Sequence, residues 1–256
     1  MEKSALRMLE KFQKAKTNRV LFESLFEECY EYAMPMRQSF YYESPGQRRD
    51  DKIFDETAVV GVQEFASRLQ SGLVPNFARW ADLLAGSEVP DQNQDDINNS
   101  LDQVTDYVFE IIQNSNFGQE VHESFMDLAV GTGILLVEEG DAVNPIRFNA
   151  IPLPTVYLDT GPDDKIDHVY RQRSLKYEEI PIAYQKAELG EKTAKSVASN
   201  PDAKVDVVEI VCRNYSKPNQ DLFDFFVINI PDKELIFQDQ FSGTGSNPFV
   251  CFRWSK

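Results

Sequence analysis

The spacing of apolar residues divides the chain into a helical first half and a strand-rich second half. Over residues 3–33 two helical patterns follow one another. Leu6, Leu9, Phe12 and Ala15 recur at three-residue intervals along the first. Leu21, Phe22, Leu25, Phe26, Cys29, Tyr32 and Ala33 make a wider stripe along the second, the mark of an amphipathic helix. Thr17-Asn18 predicts a boundary or kink between them. Pro35 predicts the end, because proline disfavours helical geometry in the residue before it. Residues 36–51 read as an ordered loop or extended arm, with Phe40, Tyr41, Tyr42, a Pro45-Gly46 turn and the run Arg48, Arg49, Asp50, Asp51. Asp55 is the expected N-cap of a helix from Glu56 to Leu73, whose inner face is Val59, Val62, Phe65, Ala66 and Leu69. Trp80, Leu83 and Leu84 form a short apolar element, and the polar run Gly86–Asp96 reads as a surface connection. A further helix over 96–113 carries Ile97, Leu101, Val104, Val108, Ile111 and Ile112 on one side.

The stretch Phe117–Gly140, FGQEVHESFMDLAVGTGILLVEEG, marks the change of texture. Val121, Phe125, Leu128 and Ala129 keep helical spacing, and Gly131 and Gly133 are expected to close the helix in the left-handed conformation that glycine tolerates. Ile134–Val137 then reads as a core strand. Beyond it, residues 146–148, 155–158 and 168–173 are strand candidates, with a hairpin turn in LDTGPDDKIDHV. Residues 177–189 and 191–198 predict short helices, and 205–215, 222–230 and 234–238 predict further strands. The expected fold class is α+β: residues 1–133 mainly helical, residues 134–256 mostly antiparallel β with short helices. The chain stops just after the apolar run in FVCFRWSK, which predicts truncation at that end.

Composition narrows the class without naming a chemistry. At 256 residues, 42% apolar and 27% charged, the chain can bury a proper core. No apolar run approaches a membrane span, and the Lys/Glu-rich start lacks a signal peptide's apolar core; a soluble protein made in a reducing cytoplasm is expected. Cys29, Cys212 and Cys251 are too few and too scattered for a disulfide framework or a metal knuckle, so free thiols are expected. A net charge of −16 argues against a sequence-specific nucleic-acid binder, which needs a basic footprint. It leaves room for a surface that DNA passes without sticking.

Catalytic patterns are missing. His122 and His168 fall in different elements, and HESF is not HExxH. The turn with Asp163, Asp164 and Asp167 lacks the glycine and terminal glutamate of an EF-hand loop. The GTG at Gly131 follows a helix, whereas a phosphate loop follows a strand. No catalytic, cofactor or metal residues are therefore expected. An acidic metal-dependent phage enzyme acting on nucleic acid or nucleotides, using Asp163, Asp164 and Asp167, is the alternative from another class; a monomeric adaptor or peptide-binding module is a third.

Several motifs occur in a telling order: YAMP at Tyr32, IFDETA at Ile53, EFASRLQSGLVP at Glu64, RWADL at Arg79, NSNFGQEVHESFMDLAVGTGILLVEEG at Asn114, and NPFVCFRWSK at Asn247. Together they resemble the N-terminal half of the portal proteins, or head-to-tail connectors, of short-tailed bacteriophages. The likeness covers nearly the whole chain, and the order is far more specific than any single motif. It implies a structural, non-enzymatic subunit of a homododecameric ring at one capsid vertex of the virion. DNA would be packaged and ejected through that ring. The implied partners are further copies of the chain, capsid and scaffold proteins, the terminase motor, a tail adaptor and duplex DNA passing non-specifically, with no membrane. The glycine-rich stretch that opens the family's stem is absent and the chain is about half a typical member, so the resemblance implies the wing portion. Arg48, Arg49, Asp50 and Asp51 are the first candidates for a subunit interface, their adjacent opposite charges pairing across neighbours. Gly131 and Gly133 are expected to be structural.

Overall fold

The computed structural model describes residues 2–41, 53–216 and 221–254. The chain divides into two compact units, one of Met1–Glu28, Gln38–Glu43 and Leu153–Phe249, the other of Cys29–Arg37, Ser44–Pro152 and Val250–Lys256. The fold is α+β, with helices first and antiparallel strands after them.

The first unit is built on a five-stranded sheet. Its strands are β3 (Val156–Thr160), β4 (Ile166–Lys176), β5 (Lys204–Arg213), β6 (Leu222–Asn229) and β7 (Glu234–Ser242). They run as an antiparallel meander in that spatial order. The central strand β5 reads KVDVVEIVCR and is covered on both faces, which is why its apolar run is nearly continuous. Val208, Ile210 and Cys212 face a layer formed by Ala5, Phe12 and Ala15 of the long helix α1 (Glu2–Ala33), together with Tyr157, Tyr170 and Phe226. Val205 and Val207 face the other way, onto Leu175, Ile180, Tyr184, Val227 and Ile236. The β3–β4 connection is the tight turn that Gly161-Pro162 and Asp163-Asp164 predict. The Gly161 N–H donates to the Lys165 carbonyl at 2.9 Å, and Asp164 takes a φ of 57°.

Two expectations about helices are corrected in this unit. The first 32-residue helix is continuous through Thr17-Asn18. Neither residue lacks an amide hydrogen, and the Thr17 hydroxyl donates back to the Gln13 carbonyl at 2.9 Å, so the boundary was only a weak propensity effect. The helix over 177–189 is also much shorter than expected. A 3-10 turn (Tyr177–Glu179) leads into one turn of helix, α5 (Ile180–Ala183), and the chain then leaves. Tyr184 is drawn inward to donate to Glu209 at 2.6 Å, and the Glu188 N–H donates to Ile236 on the outer edge of β7 at 2.8 Å. Those tertiary partners replace helical ones. Helix α6 (Glu191–Ser199) forms as expected, its first amides held by the Glu234 carboxylate.

The second unit is mainly helical: α2 (Thr57–Leu73), α3 (Asp91–Asn114) and α4 (Phe117–Val130), with a small sheet ordered β2 (Ile146–Ala150), β1 (Thr132–Glu139), β8 (Phe249–Arg253). Ala66, Val121, Phe125 and Leu128 form its core, with Phe65, Leu69 and Phe252 against them. The polar run Gly86–Asp96 is a connection only as far as Pro90; its second half belongs to a helix, because α3 starts at Asp91. Asp95 and Asp96 are exposed on that helix, so their polarity marked exposure and not irregularity. The N-cap of α2 is Glu56, without a side-chain capping bond, and not Asp55 as expected. Asp55, one residue earlier, accepts from the Thr57 hydroxyl and from the Thr57 N–H at 2.8 Å, bonds that keep its pKa below the ordinary carboxylate value.

Candidate assembly surfaces

Long-range polar anchors fix each unit from within. In the first, the Arg19 guanidinium donates to the carbonyls of Leu153 (3.0 Å), Pro154 (3.0 Å) and Val156 (2.6 Å) and lies 3.7 Å above the Tyr157 ring. Glu23, one turn on, accepts from its Nε at 2.9 Å. An edge-strand carbonyl that would otherwise face water is thereby occupied. Glu209, buried in β5, is held by Arg171, Arg173 and the Tyr184 hydroxyl, so its charge is compensated.

In the second unit the buried carboxylate is Asp127 of α4. Tyr30 donates to it at 2.6 Å and Arg37 at 3.1 Å, and Arg37 also reaches Glu123 at 2.6 Å. Burial nevertheless pushes the Asp127 pKa up to about 6, against the opposing pull of Arg37 and the Tyr30 hydrogen bond. Asn116 and Glu120 serve the outer edge of β2. The Asn116 amide bonds both the N–H (3.0 Å) and the carbonyl (2.7 Å) of Phe148, and Glu120 accepts from the Ala150 N–H at 2.7 Å.

What these anchors do not cover is a set of apolar helix faces. On α1, Leu21 is 80% exposed and Phe22 54%, with Val20 and Leu25 beside them. On α3, Thr105 and Phe109 are the buried positions. They face the irregular segment 79–85, where Trp80 packs edge-on to Phe109 at 5.2 Å and the Leu83 N–H donates to Thr105 at 3.2 Å. Arg79 spans from Asp82 to Asp102 and Asp106 alongside. The apolar stripe of α3 lies next to that packed face and not within it. Ile97, Val104 and Val108 stay exposed, Val104 at 47%, and Leu101 and Ile111 are half-buried. The apolar side of α3 is thus only partly inside.

The residues singled out in the sequence are scattered. Arg48, Arg49, Asp50 and Asp51 lie outside the described residues, as does Tyr42. Phe40 packs on Phe26 with ring centroids 5.6 Å apart, and Tyr41 is exposed. The left-handed closure expected at Gly131 and Gly133 does not occur. Gly131 ends α4 with a φ of −161°, and the positive-φ glycines among the described residues are Gly243 and Gly245. Gly133 sits inside β1, where the Phe252 ring and the Ser124 carbonyl oxygen, 2.8 Å away, fill the space a Cβ would need. Close approach, not backbone angle, calls for glycine there.

His122 bonds Gln70 through Nδ1 at 3.0 Å. His168 is partly buried on β4, and desolvation followed by the nearby Lys11 lowers its pKa. Asp163 and Asp164 are turn residues, whereas Asp167 is buried and engaged by the Tyr215 hydroxyl and Arg213. Among the described residues no group of three His, Cys, Asp or Glu side chains is placed to hold a metal. Cys29, Cys212 and Cys251 are free thiols, and burial raises the last two to about 11 and about 12. An open groove of about 1060 Å³ runs along β7, lined by apolar residues such as Leu189 and Phe237 mixed with Lys186, Lys192 and Asp239, with Glu234 already used as the helix cap. Arg19, Arg37, Asp127 and Glu209 were not foreseen. Their partners lie far off in sequence, and no local pattern announces a buried charge.

No helix among the described residues is long and apolar enough to cross a membrane. No individual curated protein matches the chain. The family model of the bacteriophage head to tail connecting protein, however, matches residues 5–256, from the first turns of α1 to the last residue. By that match over nearly its whole length, the chain belongs to the bacteriophage head-to-tail connecting protein family, a family of structural proteins that join the capsid to the tail.

Proposed function

We propose that the chain is the wing-containing part of a portal subunit. Copies of it encircle the unique capsid vertex, DNA is packaged and ejected through the ring they form, and the tail attaches to it. The observation that carries this reading is the family match over residues 5–256. The exposed apolar helix faces support it, since a solitary chain gains nothing from Leu21, Phe22 and Val104 in water. The helical residues 1–133 and the β-rich residues 134–256 would together make the wing. The partners in this reading are capsid and scaffold proteins, the terminase motor and a tail adaptor. Duplex DNA would slide past a chain of net charge −16 without the phosphate contacts that produce tight, salt-sensitive binding. Arg48, Arg49, Asp50 and Asp51 remain proposed contacts between neighbours, and Gly131 and Gly133 remain proposed structural positions.

The test is the size of the full gene product in solution by mass photometry, with Arg48→Glu and Arg49→Glu variants alongside. A ring is expected for the wild type, and charge reversal is expected to weaken it. A monomeric wild type at all concentrations would overturn the portal reading. Rings that form equally well with both reversals would remove only the four-residue contact.

A further inference from the structure

We infer that the exposed face of α1 docks antiparallel on the same face of a second copy of this chain, about a two-fold axis passing between Leu21 and Leu25. The inference stands apart from the ring reading above, because an isologous contact uses one patch on both copies and stops at two. Lys14, Asn18, Leu21, Leu25 and Glu28 are spaced 4-3-4-3 along α1, the repeat that keeps a seam facing a partner helix. All five are exposed, Leu21 at 80% and Leu25 at 56%. The buried positions Ala5, Phe12 and Ala15 lie on the other side of the helix, against the sheet. At 1.5 Å per residue the seam is about 21 Å long, enough for a weak pair whose population rises with concentration.

Charge fixes both the partner and its direction. Between Arg7 and Arg19, α1 has five Lys or Arg against one Glu; from Val20 to Ala33 it has four Glu and neither Lys nor Arg. Two copies packed parallel would set like charges side by side, Lys14 on Lys14 and Glu28 on Glu28. Packed antiparallel, the basic half of each copy lies along the acidic half of the other. With the axis between Leu21 and Leu25, the Leu21 of each copy is level with the Leu25 of its partner. Glu28 is then level with Asn18 of the partner copy, one helical turn from Lys14. Lys14 and Glu28 are both exposed, and neither has an ion-pair partner among the described residues of its own chain. The other charges toward this side, Arg7, Glu10 and Lys11, are level with positions past Ala33, beyond the end of the partner's helix. Thr17 and Ser24 on one flank and Phe22 on the other add no charge. The stripe of α3 does not fit this face as well, since α3 has no Lys or Arg to meet Glu28.

The test is sedimentation equilibrium of the 256-residue chain. The average mass should rise with concentration from 29.3 kDa toward twice that value and stop there. Leu21→Asp with Leu25→Asp, both at exposed positions, should weaken pairing at least about tenfold, since each buries an unpaired carboxylate in the contact. The melting temperature should stay within a few degrees of wild type. Lys14→Glu and Glu28→Lys should each weaken pairing about threefold or more, and the two changes in one chain should restore it. As a second arm, Lys14→Cys protein is mixed with Glu28→Cys protein and treated with a short thiol cross-linker, wild type serving as the control for the native cysteines. Cross-linked dimer well above control is expected in the mixture and not with either variant alone. A chain that stays monomeric, or a double aspartate variant that pairs as well as wild type, would overturn the inference, and rings formed by the full gene product would still stand. Cross-linking of either cysteine variant to itself, without the mixed product, would overturn the antiparallel arrangement.

Discussion

The central strand of the sheet and the helix surfaces solve the burial problem differently. On β5 the chain covers its own apolar residues: Val207, Val208, Ile210 and Val211 are all fully buried. On the helices comparable residues stay in water in both units, with Val20, Leu21, Phe22 and Leu25 of α1 in the sheet unit and Ile97, Val104, Tyr107 and Val108 of α3 in the helical unit exposed. Both units have ordinary cores, so the difference is not one of foldedness. It separates residues that hold a subunit together from residues left over for something else to cover.

The comparison predicts unequal responses to similar substitutions. The largest effect should come from Ile210→Ala, which empties a site packed on one face of the five-stranded sheet. A loss of about 2–5 kcal/mol in urea unfolding is expected, as for other truncations of fully buried aliphatic residues; a loss below about 1 kcal/mol would mean that strand is not central to the core.

Next comes the pH response of the helical unit. The folded-state pKa of Asp127 is raised to about 6 from 3.8, so the folded chain holds its proton more tightly than the unfolded one. The associated stability is fully present below pH 3.8 and is lost as pH rises through about 6. The contribution is at most about 3 kcal/mol. Asp127→Asn should remove that slope from a series of urea midpoints between these pH values; an unchanged slope would show that the Tyr30 and Arg37 contacts already hold the carboxylate ionised.

Gly133→Val ranks third. A side chain there drives into the Phe252 ring and the Ser124 carbonyl, and about 1–3 kcal/mol of destabilisation is expected from overpacking. Wild-type melting would show that β8 can move aside at no cost. The smallest effect on stability belongs to the uncovered faces. Leu21→Ser or Val104→Ser should change unfolding free energy by no more than about 0.5 kcal/mol, as surface positions do. A large loss at either would place it in a core of its own subunit.

The same contrast explains what could be read from the sequence. Strands β3 to β7 were legible because their apolar runs are broken by turn residues such as Gly161-Pro162 and Pro231-Asp232. The stripes of α1 and α3 were equally legible as stripes. What lay beyond local pattern was whether the chain itself covers them, and for Leu21 and Val104 it does not. Polar residues misled in the other direction, since Thr17-Asn18 and residues 91–96 of the polar run lie within helices. The buried ion pairs of Arg37 with Asp127 and of Arg173 with Glu209 depend on tertiary contacts that no window of sequence contains.

The central claim is that the uncovered apolar helix faces are covered in the assembled connector. Hydroxyl-radical footprinting of the full gene product, assembled and dissociated, measures this directly. The account predicts that Leu21, Phe22, Leu25, Val104 and Val108 lose reactivity on assembly, while Val207 and Ile210 are protected in both states. Equal labelling of Leu21 and Val104 in the two states would contradict it.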